Sequence, residues 1–100
     1  MKCRAAVLKA MGHPARLLML EALQAGERCV CELQRIVGSD ISTVSRHLGV
    51  LRNAGLVADE RRGHRLFYRL RLPCIGAFLD YCDRVIEADG ERRAAVFRGR

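Results

Sequence analysis

The sequence predicts a mainly α fold carrying one small β-hairpin, and three observations lead there. Apolar residues recur three and four apart from about residue 4 to residue 54 and again over 75–89, the spacing of one buried helical face. Between those stretches the period drops to two, with Leu66, Tyr68 and Leu70 alternating with Arg65, Phe67 and Arg69. Pro14, Gly26, Gly38, Gly55 and Pro73 fall between the periodic segments and cut them into elements of ordinary length.

Val7, Leu8 and Met11 mark a first helix over about 3–11. Pro14 cannot continue that helix but suits the first turn of a new one, so Leu17, Leu18, Leu20 and Leu23 belong to a second helix over 14–25, closed by Gly26. Val30, Leu33, Ile36 and Val37 give a short amphipathic helix over 30–37 that stops at Gly38. Asp40 can accept the Thr43 amide and start the next helix over 41–54, buried along Val44, Leu48 and Leu51 and ended by Gly55. Two short helices joined around a glycine make a helix-turn-helix.

Residues 56–70 then form the hairpin, with Gly63 and His64 at a basic tip. A hairpin directly after a helix-turn-helix is the wing of a winged helix-turn-helix. Beyond Pro73, the residues Ile75, Phe78, Leu79, Cys82, Val85 and Ile86 stripe one helix over 75–89. So apolar a terminal helix on so small a body is expected to pair with a second copy, making a homodimer. The folded domain is assigned to 1–90, and residues 91–100, with little periodicity, are expected to be a frayed tail.

One hundred residues, half of them hydrophobic, suffice for one domain and leave no room for a large enzyme cleft, so no enzyme and no small-molecule substrate is expected. Arg4, Arg16, Glu21, Glu27 and Arg35 interrupt every apolar run short of the ~18 residues of a membrane span. Lys2, Arg4 and Lys9 break up any signal-peptide core, so the expectation is a cytoplasmic protein with no membrane partner. The net charge of +7 is concentrated, since residues 42–71 hold seven Lys/Arg against two Asp/Glu. A basic stretch inside a folded domain suits a phosphate backbone, and the expected partner is double-stranded DNA.

In a helix-turn-helix the second helix enters the major groove. Here its exposed positions offer Ser42, Thr43, Ser45, Arg46, His47 and Arg52. Arg46 is the best candidate for reading bases, because a guanidinium can bond a guanine edge in bidentate fashion. Ser42 and Thr43 can equally stabilise the first helical turn, and His47 can equally pack at the junction of helix and wing. At the wing tip, Arg61, Arg62, His64 and Arg65 are candidates for backbone or minor-groove contacts that add salt-dependent affinity. A symmetric dimer predicts an inverted-repeat operator with half-sites one helical turn apart, or a multiple of that.

Five cysteines make an odd count without an export signal, so reduced thiols are expected. Cys29 and Cys31 sit two apart at the start of the 30–37 helix, where both sulfurs can aim at one point and the helix terminus favours thiolate. Soft thiolates select As(III), Sb(III), Cd(II), Pb(II), Hg(II) or Zn(II) over hard cations. Two thiols leave the site incomplete for all of these except linear Hg(II), and Cys3, Cys74 and Cys82 are possible further ligands. Cys82 also fits the apolar stripe as a core residue.

Taken together, five ordered segments resemble the ArsR/SmtB family of metal-sensing repressors over roughly residues 5–72. They are His13-Pro14-Ala15-Arg16-Leu17, Glu27-Arg28-Cys29-Val30-Cys31-Glu32-Leu33, Ser42-Thr43-Val44-Ser45-Arg46-His47-Leu48, Leu51-Arg52-Asn53-Ala54-Gly55-Leu56-Val57 and Phe67-Tyr68-Arg69-Leu70. The resemblance implies a dimer joined by its first and last helices, and repression of a metal-resistance operon that is relieved when an inducer binds. The run from Cys29 to Leu33 is similar to the helix site of arsenite sensors and to half of the site in cadmium and lead sensors. As(III) or Sb(III) is the inducer so implied, with Cd(II), Pb(II) or Zn(II) as alternatives. Some arsenite sensors carry a third cysteine where this chain has Gln34, so the remaining ligand falls to Cys3, Cys74, Cys82 or a small exogenous thiol. Asp80 and Asp83 stand in the last helix without a histidine, which speaks against a zinc-only sensor.

Three rival readings stand beside this one. A repressor sensing oxidants or persulfides would keep the DNA function and change the input. A constitutive DNA-binding module would leave all cysteines passive. A thiol-disulfide enzyme would need a C-x-x-C spacing in a βαβ context, and neither is present.

Overall fold

The computed structural model describes residues 3–98. In chain order the elements are α1 (Arg4–Met11), α2 (Pro14–Gln24), β1 (Arg28–Cys29), α3 (Val30–Val37), α4 (Ile41–Asn53), β2 (Val57–Arg62), β3 (Arg65–Leu70) and α5 (Ile75–Arg98). The helix-turn-helix is α3 and α4, and the hairpin is β2 and β3. The mainly helical fold with a small sheet agrees with the sequence reading, apart from one strand and the end of the last helix.

Each helix begins and ends where its punctuation residues dictate. His13 is extended and its Nδ1 accepts the Ala15 amide at 3.1 Å, while Pro14 fills the first helical position, where no N–H is needed. Gly38 closes α3 in the left-handed conformation at φ 80°, its amide donating to the Gln34 carbonyl at 2.8 Å. Two residues later Asp40 Oδ1 accepts the Thr43 amide at 3.3 Å and opens α4. The connection between the two helices is therefore only Gly38-Ser39-Asp40, pinned at both ends.

The hairpin turns on Gly63 and His64, between the paired residues Arg62 and Arg65. Gly63 takes φ 61°, and no residue other than glycine has a positive φ among those described. A left-handed residue at the first turn position alone is the requirement of a type II′ hairpin, which glycine meets without strain. β1, which periodicity did not reveal, adds a third antiparallel strand to give the order β1-β3-β2, with Arg28 opposite Tyr68 and Cys29 opposite Phe67. A two-residue strand is too short for alternation to register.

The core lies where α2, α3 and α4 meet the sheet. Met19, Leu20, Leu33, Val44, Leu48 and Leu51 are fully buried, joined by Met11, Leu23, Val57, Tyr68 and Ile75. Burying each large side chain contributes about 1.5–3 kcal/mol, and this cluster is what holds α4 at a fixed angle. Ile75 and Leu79 attach α5 to that core, whereas Phe78, Tyr81, Val85 and Ile86 on the same helix stay exposed, as do Leu8 on α1 and Leu72.

The last helix runs to Arg98, past the end expected near residue 89 and through residues 91–98, which the sequence reading set apart as a tail. Asp89 supports this continuation by accepting from Arg92 at 2.8 Å and pairing with Arg93 at 3.1 Å, one turn on. Residues 1, 2, 99 and 100 lie outside the described residues.

Candidate DNA interface and thiol site

Along α4, burial of Val44, Leu48 and Leu51 turns Ser42, Ser45 and Arg46 out to solvent. Thr43 and His47 are half-buried at the edge of that face. His47 is held from behind by α1 and α2. Its ring centroid is 4.5 Å from that of His13, and Arg16 Nη1 stands 3.4 Å from its Nδ1. Arg16 also donates from Nε to the Ala10 carbonyl at 2.6 Å, so one guanidinium joins α1, α2 and α4. Burial first, then the nearby His13, Arg16 and Arg46, hold the His47 pKa below that of an ordinary histidine. His47 therefore packs, but against His13 and Arg16 where α2 begins and not at the junction of helix and wing that the sequence suggested.

The remaining basic candidates divide into engaged and unengaged groups. Arg52 Nη1 binds Asp59 Oδ2 at 3.0 Å and ties the end of α4 to β2. Arg62 donates to both oxygens of Glu27 at 2.6 and 2.7 Å and from Nε to Glu60 at 2.7 Å. By contrast, among the described residues no ion pair involves Arg46, Arg61 or Arg65. All three are exposed, with His64 beside them at the hairpin tip. The exposed cations thus sit on α4 and at the end of the wing, two places that one DNA duplex can reach together.

The thiol pair lies at the join of β1 and α3. Cys29 is the N-cap of α3 in extended conformation, and its amide donates to Glu32 Oε1 at 3.1 Å, the return half of a capping box. Glu32 is in turn paired with Arg28 at 3.4 Å, and the Cys29 amide is the main cause of its lowered pKa. Cys29 is only 4% exposed, whereas Cys31, one residue into the helix, is open to solvent.

Two residues apart at the same helix start, the two thiols act on each other, and that interaction is the largest influence on the pKa of both. It pushes Cys29 up, with burial adding to the effect, and pulls Cys31 down, helped by the charges of Arg35 and Arg65. Cys31 is therefore the thiol that ionises more readily. The two thiols are thus unlike, Cys29 sheltered with its pKa raised and Cys31 exposed with its pKa lowered.

No third donor joins them within one chain. Among the described residues there is no group of three His, Cys, Asp or Glu side chains placed to hold a metal ion. Cys3 is exposed at the N-cap of α1, Cys74 is exposed beside the apolar groove formed by Val7, Leu8, Leu56 and Phe78, and Cys82 is half-buried on α5. The donor chemistry fits a thiophilic ion through two sulfurs and leaves its coordination open.

Sequence reasoning missed the carboxylates. Glu27 and Asp59, which bind Arg62 and Arg52, gave no signal because the first pair depends on the register of the sheet and the second on how α4 packs against β2. The presence of β1 would have been needed to place Glu27 near the wing.

Comparison with known proteins places this arrangement. A family profile described as bacterial regulatory protein, arsR family, matches residues 13–59, which run from the His13 cap to Asp59 of β2. The HTH-type transcriptional regulator Rv0081 of Mycobacterium tuberculosis is 38% identical over 96 residues, covering 95% of this chain and 84% of that protein. Its crystal structure superposes with a TM-score of 0.82 at 37% identity, covering 91% and 92% of the two chains. The homodimeric winged helix-turn-helix DNA-binding domain Mb0332 of Mycobacterium bovis, described as a possible ArsR-family regulator, has a TM-score of 0.76 at 31% identity, covering 88% of this chain and 82% of that one. The arsenic resistance transcriptional regulator ArsR1 of Pseudomonas putida is 45% identical over 56 residues, which are 56% of this chain and 43% of that protein. With its helix-turn-helix, its hairpin wing and near full-length likeness to such regulators, the chain belongs to the ArsR family of winged helix-turn-helix transcriptional regulators and not to a family of enzymes.

Proposed function

We propose that the chain acts in the cytoplasm as a homodimeric repressor, bound to an inverted-repeat operator and released when As(III) or Sb(III) is captured by Cys29 and Cys31. The observation that carries this reading is the placing of two reduced cysteines, Cys29 at the N-cap and Cys31 in the first turn, at the start of α3, the first helix of the helix-turn-helix. Likeness to the arsenic resistance regulator ArsR1 supports the choice of inducer. DNA contact falls to Ser42, Thr43, Ser45 and Arg46 on α4, with Arg61, His64 and Arg65 on the wing; Arg52, His47 and Arg62 hold the frame. The exposed stripe of Phe78, Tyr81, Val85 and Ile86, with Leu8, supports a dimer joined through α1 and α5.

Arsenite exchanges two of its hydroxide ligands for the two thiol sulfurs, and each thiol proton leaves with hydroxide as water. Cys31 reacts first because it is open and ionises more readily, and Cys29 follows by losing its proton to the departing hydroxide. Drawing the start of α3 toward a third sulfur moves the helix, and α4 follows through the three-residue link. The third position falls to a small exogenous thiol or to Cys3, Cys74 or Cys82 of the partner subunit. An allosteric coupling of ~1–3 kcal/mol weakens operator affinity about 5–150-fold for each site occupied.

The test is a gel shift on the DNA upstream of the chain's own gene under strict reduction, with As(III), Sb(III), Cd(II), Zn(II) and an oxidant in parallel. Wild-type protein is expected to dissociate with As(III) or Sb(III), and Cys29→Ser and Cys31→Ser to bind DNA without responding. A double variant still released by arsenite excludes the site. A second reading, sensing of oxidants or persulfides, draws on the lowered pKa of Cys31 and the lack of a third donor. Release by the oxidant alone favours it.

A further inference from the structure

Arg62 joins more partners than any other cation among the described residues. It leaves the end of β2, lies over Phe67 with its guanidinium carbon 4.7 Å from the ring centroid, and ends on both oxygens of Glu27. The register explains how one side chain spans so far. Directly opposed residues on antiparallel strands share a face, so Glu60, Phe67 and Cys29 form one row across the three strands. Glu27, two residues before Cys29, stands beside that row. Arg62 therefore crosses the whole sheet and ties the hairpin tip to the segment that leads into the thiol strand.

A bidentate guanidinium–carboxylate pair fixes orientation as well as distance, which a single surface contact does not. The strand it braces needs such help, because β1 is two residues long and has few ladder bonds of its own.

We propose that Glu27 and Arg62 are positioning residues, a latch that sets the pose of the wing on DNA by fastening it to the strand carrying Cys29. In this account Arg62 does not contact phosphate, unlike Arg61 and Arg65. The inference rests on the hairpin being the DNA-contacting wing but not on the identity of the inducer, and its test uses none.

The experiment measures operator affinity by fluorescence anisotropy across a salt titration, for the wild type, Arg62→Glu, Glu27→Arg and the charge-swapped double variant. Each single variant is expected to bind about fivefold more weakly, and the swap to return within about twofold of wild type with an unchanged salt slope. Hydrogen exchange at the amides of Arg28 and Tyr68, the opposed pair of β1 and β3, is expected to quicken in both singles and recover in the swap. If either single fails to fold, Arg62→Gln and Glu27→Gln replace it, with the same loss and the same faster exchange expected. A swap as weak as Arg62→Glu, with the salt slope reduced by about one, makes Arg62 a phosphate contact and overturns the proposal. Unchanged exchange in both singles overturns the link to the thiol strand.

Discussion

The ring of His13, which starts α2, lies 4.5 Å from the ring of His47 on α4, tilted by 44°. Arg16 bonds His47 Nδ1 and can only donate, so that nitrogen must accept and the His47 proton sits on Nε2. The neutral ring is the form the site is built for. A proton added to His47 faces Arg16, Arg46 and His13 together.

This fixes a pH dependence. The folded-state pKa of His47 lies below its unfolded value, so the unfolded chain binds the extra proton first and stability rises with pH through that window. Acidification from above the ordinary histidine value to below it is therefore expected to lower the melting temperature. His47→Gln is expected to flatten the slope relative to wild type, as followed by circular dichroism at several pH values. Identical slopes in the two proteins remove His47 as the responsible group.

The thiols should react in order. Iodoacetamide at neutral pH is expected to label Cys31 several-fold faster than Cys29, as mapped by peptide mass spectrometry. Cys29→Ala removes the neighbour that most lowers the Cys31 pKa and should slow labelling of Cys31 at neutral pH. Unaltered labelling would show that Cys29 does not lower it.

On α4, Arg46 is the exposed guanidinium outside every ion pair. Arg46→Ala should cost about 1–3 kcal/mol on the specific operator and less on random DNA, measured at one salt concentration. Equal losses on both would demote Arg46 to a backbone contact.

Phe78 is still 39% exposed beside Tyr81, Val85 and Ile86, more apolar surface than a single helix leaves in water without a partner. Phe78→Asp is expected to yield monomers by sedimentation velocity, with a helical circular dichroism signal. A variant that sediments as wild type does would move the interface off α5.

The helices were legible because their caps and spacing are local. Pro14, Gly38 and Asp40 act on their immediate neighbours, and the buried spacing of Val44, Leu48 and Leu51 is a property of one helix. The position of Cys29 and Cys31 at the start of α3 was legible for the same reason. What stayed hidden depended on distant partners: β1 exists only because β3 lies beside it, and Arg62 reaches across the sheet only because Glu27 arrives from 35 residues away. The continuation of α5 was hidden too, since past Asp89 the support comes from Arg92 and Arg93 and leaves no apolar rhythm.

In the proposed repressor, the short Gly38-Ser39-Asp40 link would make α3 and α4 a single stiff lever, with the sulfurs at one end and the candidate groove-reading residues at the other. Loosening that joint with two added residues would leave ligand capture and operator binding each intact but mutually deaf. Such a chain would keep its genes silent at any dose of the inducer.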